Sequence, residues 1–128
     1  MVIVDTSFLY AFFNKNDFHH KNALELYKKY IDEALLVPIE VVEELLTVIT
    51  RKFSSTEAVK IGKLILDNDL DINIINSNEL QFENAWKMFQ KLSPHRFSFV
   101  DCLLLVLKKE DDDIIFTFDK ILSSALEN

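Results

Sequence analysis

Apolar residues fall along this chain in short β-branched runs, separated by longer stretches whose apolar positions repeat with a helical period. Val2-Ile3-Val4 is continuous and β-branched, as expected of a strand buried on both faces. Leu35-Leu36-Val37, Asp71–Ile75 and Ile114–Phe118 read as further strands. Between them, Thr6–Phe13 predicts a short helix. A second starts near Asp17, a good N-cap, and runs through Ala23, Leu24, Leu26, Tyr27 and Tyr30. Pro38, tolerated in a first helical turn, opens a helix to about Phe53. Ser54-Ser55-Thr56-Glu57 has a capping-box pattern and starts a helix ending near Asn68. Asn78–Leu92 is helical, with Leu80, Ala85, Trp86, Phe89 and Leu92 facing inward. Ser98 and Asp101 resemble another capping box ahead of Leu103–Leu107, and a last short helix starts at Asp119. Strands alternating with helices predict an α/β fold: a three-layer α/β/α sandwich around a central parallel sheet. With no repeat and no linker-like run, residues 1–128 are expected to form one domain.

Composition removes several chemistries. The formal charge of −7 argues against coating nucleic acid through a broad basic face, because such binding neutralises many phosphates. It leaves room for an enzyme that meets a few phosphates through bound metal. A single glycine, Gly62, rules out a Gly-rich phosphate loop or a dinucleotide fingerprint. One cysteine, Cys102, and three histidines make a structural zinc site a poor reading and an internal disulfide impossible. No apolar stretch approaches the ~18 residues of a membrane span, so a soluble, cytoplasmic protein is expected.

Three aspartates stand at informative places. Asp5 follows the first apolar strand and Asp119 follows the last. In open parallel sheets, ligands bind outside the carboxyl ends of the strands. Asp101 opens a helix whose next residues, Cys102–Leu107, are all apolar, which carries this carboxylate toward the core. A buried carboxylate needs a partner, and a cation would serve. The competing reading is that each aspartate simply caps a helix. The Pro38–Phe53 helix offers Glu40, Glu43 and Glu44. On a helical wheel Glu40 lies nearly opposite the apolar face, whereas Glu43 and Glu44 both border it, and periodicity does not choose between them.

The segments Ile3-Val4-Asp5-Thr6-Ser7, Glu44-Leu45-Leu46, Ser98-Phe99-Val100-Asp101 and Phe116-Thr117-Phe118-Asp119 resemble the four acidic motifs of PIN domains, in that family's order and spacing. The likeness covers essentially the whole chain and is greatest to the small toxin nucleases of VapBC-type toxin–antitoxin pairs. Asn16-Asp17-Phe18-His19-His20 before a helix is similar to those proteins too. Leu105 and Lys109 depart from the pattern, because relatives often carry small residues in that helix. The resemblance places the helical glutamate at Glu44. It implies an endoribonuclease acting on RNA, restrained by an antitoxin, and a homodimer.

Four carboxylates form a hard oxygen donor set, which suits Mg2+ or Mn2+. Asp5 and Asp101 are expected as direct ligands, with Glu44 and Asp119 holding a second ion directly or through water. Thr6, Ser7 and Thr117 flank the site, either bonding its ligands and a phosphate oxygen or capping the backbone. His19 and His20 read as surface capping residues. Lys15, Lys21, Arg51 and Lys52 are candidates for guiding RNA, against a plain solvated face. The aromatic residues read as core. Part of the apolar surface of Phe8, Leu9, Tyr10, Phe12 and Phe13 is a candidate contact for a partner or a second copy. Three other functions compete. An Asp5-nucleophile phosphotransferase would want a second acid or base at position 7, which is serine. A non-catalytic PIN-fold binding module would tolerate damage to the acidic set, which is intact. A housekeeping RNA-processing nuclease would share every residue.

Overall fold

A computed structural model of the chain describes residues 1–67 and 70–127. Its strands are β1 (Val2–Val4), β2 (Leu35–Pro38), β3 (Ile72–Ile75) and β4 (Ile114–Phe116). Its helices are α1 (Thr6–Phe13), α2 (His20–Lys29), α3 (Ile39–Lys52), α4 (Ser55–Leu66), α5 (Glu79–Leu92), α6 (Phe99–Leu107) and α7 (Lys120–Leu126). The expected end of α4 at Asn68 lies outside the described residues, as does Asn128 of the expected domain. Among the described residues, no helix is long and apolar enough to cross a membrane.

The four strands are all parallel, in the order β3-β2-β1-β4. Successive strand side chains point to opposite faces. Val2, Ile3 and Val4 are all fully buried, so both faces of the sheet are covered at β1. The connections explain how. From β1 to β2 to β3 the chain steps steadily one way, and right-handed crossovers put the intervening helices on one face. It then returns past β1 to β4, which puts α5 and α6 on the other. The packing agrees: α1 contacts α2 and α3, α3 contacts α4, and α5 contacts α6. This is the α/β/α sandwich expected from the pattern. The reversal of direction falls between β1 and β4, where α/β sheets open a crevice.

Local chemistry accounts for most helix starts. Ser54 accepts a bond from the Glu57 amide at the head of α4. Asn78 with Gln81 and Ser98 with Asp101 complete reciprocal capping boxes ahead of α5 and α6. Asp17 departs from expectation. Its carboxylate accepts from the His19 amide at 2.8 Å and closes a turn, and α2 starts only at His20. Buried Asp113 has a purely structural role. It accepts from the Glu110 and Lys109 amides and faces the N-terminal ammonium at 3.4 Å, all of which hold its carboxyl below the usual range.

Two helices bury their apolar residues differently from expectation. In α1, Phe8 and Leu9 are buried and Tyr10, Phe12 and Phe13 are packed against the core, because α2 and α3 both lie on this helix. Tyr10, Phe12 and Phe13 stay half-buried, so part of the α1 apolar surface remains at the protein surface. In α5, by contrast, Ala85 is fully buried, but Leu80, Trp86 and Leu92 are exposed, as is Phe82. α5 has α6 as its principal neighbouring helix, and one neighbour covers only part of a broad apolar surface.

Candidate active site

A cavity of about 500 Å³ opens at the carboxyl ends of β1 and β4, within the size range usual for ligand sites. Asp5, Glu44, Asp101 and Asp119 all line it, together with Thr6 and Ser7. These residues arrive on separate elements: the β1–α1 junction, the second turn of α3, the first turn of α6 and the β4–α7 junction.

Each aspartate is also a cap. Asp5 Oδ1 accepts from the Thr6 amide at 2.7 Å, ahead of α1. Asp101 Oδ2 accepts from the Ser98 amide at 2.9 Å, and Ser98 Oγ accepts in return from the Asp101 amide. Asp119 Oδ1 accepts from the Ile121 and Leu122 amides, ahead of α7. Capping and convergence therefore coexist, and the choice posed by the sequence dissolves. The caps fix one oxygen of each carboxylate. Oδ1 of Asp101 and Oδ2 of Asp119 make no hydrogen bond with the described residues.

Asp5 is the most firmly held. Its Oδ2 accepts from Thr117 Oγ1 at 2.7 Å and from Ser7 Oγ at 3.0 Å. Ser7 Oγ accepts in turn from the Phe118 amide, and Thr117 Oγ1 from the Asp119 amide. Two hydroxyls thus clamp the ends of β1 and β4 around one carboxylate. Thr6 behaves otherwise: its Oγ1 is buried and has no partner among the described residues.

Electrostatics follow from the crowding. Burial pushes the Asp101 carboxyl above its usual range; the Ser98 amide opposes this, while the Asp5 and Asp119 carboxylates add to it. Three aspartates brought together raise the negative potential at this point of the cavity, the condition a cation relieves.

On α3, Glu44 is half-buried and lines the cavity, whereas Glu43 is exposed. Glu40, expected to be solvated, is half-buried instead. Its Oε2 accepts from Ser77 Oγ at 3.1 Å, because the β3–α5 connection lies over the start of α3.

Several lining residues escaped sequence reasoning. Tyr10, Asp17, His19, Arg96 and Phe118 all border the cavity. His19 is the N-cap residue of α2 by its backbone, without a side-chain bond, and His20 reaches back to the last turn of α1. The His19 ring lies parallel to Phe118 at 4.4 Å, and His20 Nδ1 is 2.7 Å from the Ala11 carbonyl oxygen. Of the four basic candidates only Lys52 lines the cavity, its ammonium 5.1 Å from the centre of the Tyr10 ring. Arg96 was signalled only by its place two residues before the Ser98 cap.

A family model described as "PIN domain" matches residues 2–126. Among solved structures, the chain is similar to VapC20 of Mycobacterium tuberculosis, described as a sarcin–ricin loop cleaving toxin. The TM-score is 0.84 at 23% identity, over 98% of this chain and 95% of that one. No curated protein sequence matches the chain. The parallel sheet reversing at β1 and β4, with acids at that crevice, is what such a fold provides, and the chain belongs to the PIN-domain family.

Proposed function

We propose that this PIN-domain chain is a metal-dependent endoribonuclease, the toxin of a toxin–antitoxin pair. One observation carries the reading: Asp5, Glu44, Asp101 and Asp119 line a single cavity at the crevice between β1 and β4. The structural likeness to VapC20, a toxin that cleaves the sarcin–ricin loop, supports the same class of reaction. It does not specify the RNA.

The donor set fits Mg2+ or Mn2+. Every candidate ligand is a carboxylate oxygen, two of these oxygens have no partner among the described residues, and same-sign crowding already acts on Asp101. Among the described residues, no three His, Cys, Asp or Glu side chains are already arranged to hold an ion, so the fit rests on the donor chemistry. Asp5 and Asp101 would be direct ligands, with Glu44 and Asp119 completing the set. A bound divalent ion polarises a phosphodiester, lowers the pKa of water and stabilises the leaving oxygen. The chain's own part is positioning. Thr117, Ser7 and the Thr6 amide fix Asp5, while Ser98 fixes Asp101. Arg96 and Lys52 bring positive charge to an acidic cavity and would hold phosphates of the strand.

The partner reading follows from the same charges. Four carboxylates form a receptor for an arginine or lysine of an antitoxin, and the chain's charge of −7 favours a basic segment. A homodimer is proposed through α5, where Leu80, Phe82, Trp86 and Leu92 are exposed.

Incubating the chain with mixed small RNAs in magnesium, in manganese and in chelator tests the activity. Cleavage must require the ion and must vanish in Asp5→Asn and Asp101→Asn. Full activity in either variant, with contamination controlled, removes the reading. Co-expression with the adjacent gene tests the toxin role. A chain that cleaves RNA, yet is harmless to cells and co-purifies with nothing, is a housekeeping nuclease instead.

A further inference from the structure

Phe18 is 92% exposed, more than any other large apolar residue described. It stands at the outer end of a continuous series of rings. Its ring meets His19 edge-on at 5.0 Å, and His19 lies parallel to Phe118 at 4.4 Å with 4° between the planes. Phe118 in turn stacks at 6.1 Å on Phe8, which is buried. The series therefore runs from solvent, past two residues lining the acidic cavity, into the core. It is also pinned. The His19 amide is tied to Asp17 and the His20 ring to the Ala11 carbonyl oxygen. A fixed aromatic ring left in water gains nothing from burial.

We propose that Phe18, backed by His19 and Phe118, is a stacking site for an unpaired nucleobase of the RNA strand whose backbone enters the acidic cavity. The proposal rests on the ribonuclease reading and adds to it a base contact outside the acidic cavity. A net charge of −7 disfavours holding RNA by phosphate contacts alone. Among the described residues, two cationic side chains, Lys52 and Arg96, line the cavity. Beyond these side chains and the bound metal, base–aromatic stacking supplies a contact that does not depend on charge. Stacking also needs a base out of a duplex, because a paired base has both faces covered by its neighbours.

The test uses the full chain carrying Asp5→Asn, in magnesium, with fluorescein-labelled oligoadenylate and an RNA duplex of the same length as probes. Single strands must bind more tightly than the duplex. Adding Phe18→Ala must weaken oligoadenylate binding about 5- to 100-fold. The melting temperature must not move, since the lost ring was exposed. Phe18→Trp must restore binding, with its fluorescence quenched by the probe. Two phosphate contacts give a log–log salt slope of roughly −1.4. Phe18→Ala binding like its parent, or a duplex binding as well as the single strand, overturns the proposal. So does a Phe18→Ala variant that keeps RNA affinity but loses a co-purifying protein. These outcomes leave cleavage by the unsubstituted chain intact. Absence of both RNA binding and cleavage instead removes the ribonuclease reading, and the stacking site with it.

Discussion

Thr117 Oγ1 donates to Asp5 Oδ2 at 2.7 Å, although the two residues lie 112 positions apart in the chain. The bond joins the ends of β1 and β4, and the same hydroxyl accepts from the Asp119 amide. One side chain therefore orients the Asp5 carboxylate and fixes the backbone of Asp119.

Replacing it tests that role. Thr117→Val keeps the shape and removes both bonds, leaving Ser7 as the remaining hydroxyl on Asp5 Oδ2. Stability should fall by about 1 kcal/mol in urea unfolding. Magnesium or manganese affinity, measured by calorimetric titration, should fall about 10- to 100-fold, as for other groups that orient metal ligands. Unchanged affinity would mean that Asp5 needs no clamp.

The two glutamates at the border of the α3 apolar face now separate. Glu44 lines the cavity and Glu43 is exposed. Glu44→Gln should lower metal binding and RNA cleavage at least 10-fold. Glu43→Gln should stay near wild type, with a stability change within about 0.5 kcal/mol. The opposite ranking, in the same two assays, would place the functional face of α3 one residue away.

Asp101 makes the apo protein sensitive to pH. Burial, together with Asp5 and Asp119, raises its folded-state pKa. The folded chain then holds this proton more tightly than the unfolded chain. The stabilisation is fully present below the unfolded value of about 3.9 and is lost as pH rises through the higher folded value. Asp101→Asn, locked neutral, should therefore melt above wild type at neutral pH in chelator. The gap should close as pH falls toward about 4. Thermal scans across that range decide it, and a gap that is constant with pH would refute the assignment.

Gly62 sits inside α4 with no strained backbone, and a Cβ built there would meet the Leu46 side chain at an ordinary 3.5 Å. Nothing in the packing requires glycine. Gly62→Ala should raise stability by about 0.5–1 kcal/mol through helix propensity, read from denaturant midpoints, with cleavage unchanged. A loss of stability would mean that α3 and α4 pack more tightly than these contacts show.

What the chain determined by itself is what short-range chemistry controls. A strand such as Val2–Val4 is recognisable because β-branched residues without polar alternation fit only a sheet covered on both faces. Helix starts at Ser54 and Ser98 are recognisable because a cap bonds an amide three residues on. The three aspartates could be found for the same reason: each sits at an element's end, and ends are the best-marked points in a sequence. Tertiary structure alone decided which groups meet. The Ser7–Phe118 and Thr117–Asp5 bonds and the entry of Arg96 and His19 into the cavity depend on elements brought together across the β1–β4 crevice. The exposed residues of α5 teach the same lesson from the other side. Periodicity marks an apolar stripe, but whether Trp86 and Leu80 are buried depends on how much of that stripe a neighbouring element covers. Local bonds are written in adjacent residues, while burial and convergence belong to surfaces that exist only once the sheet has closed its two layers around itself.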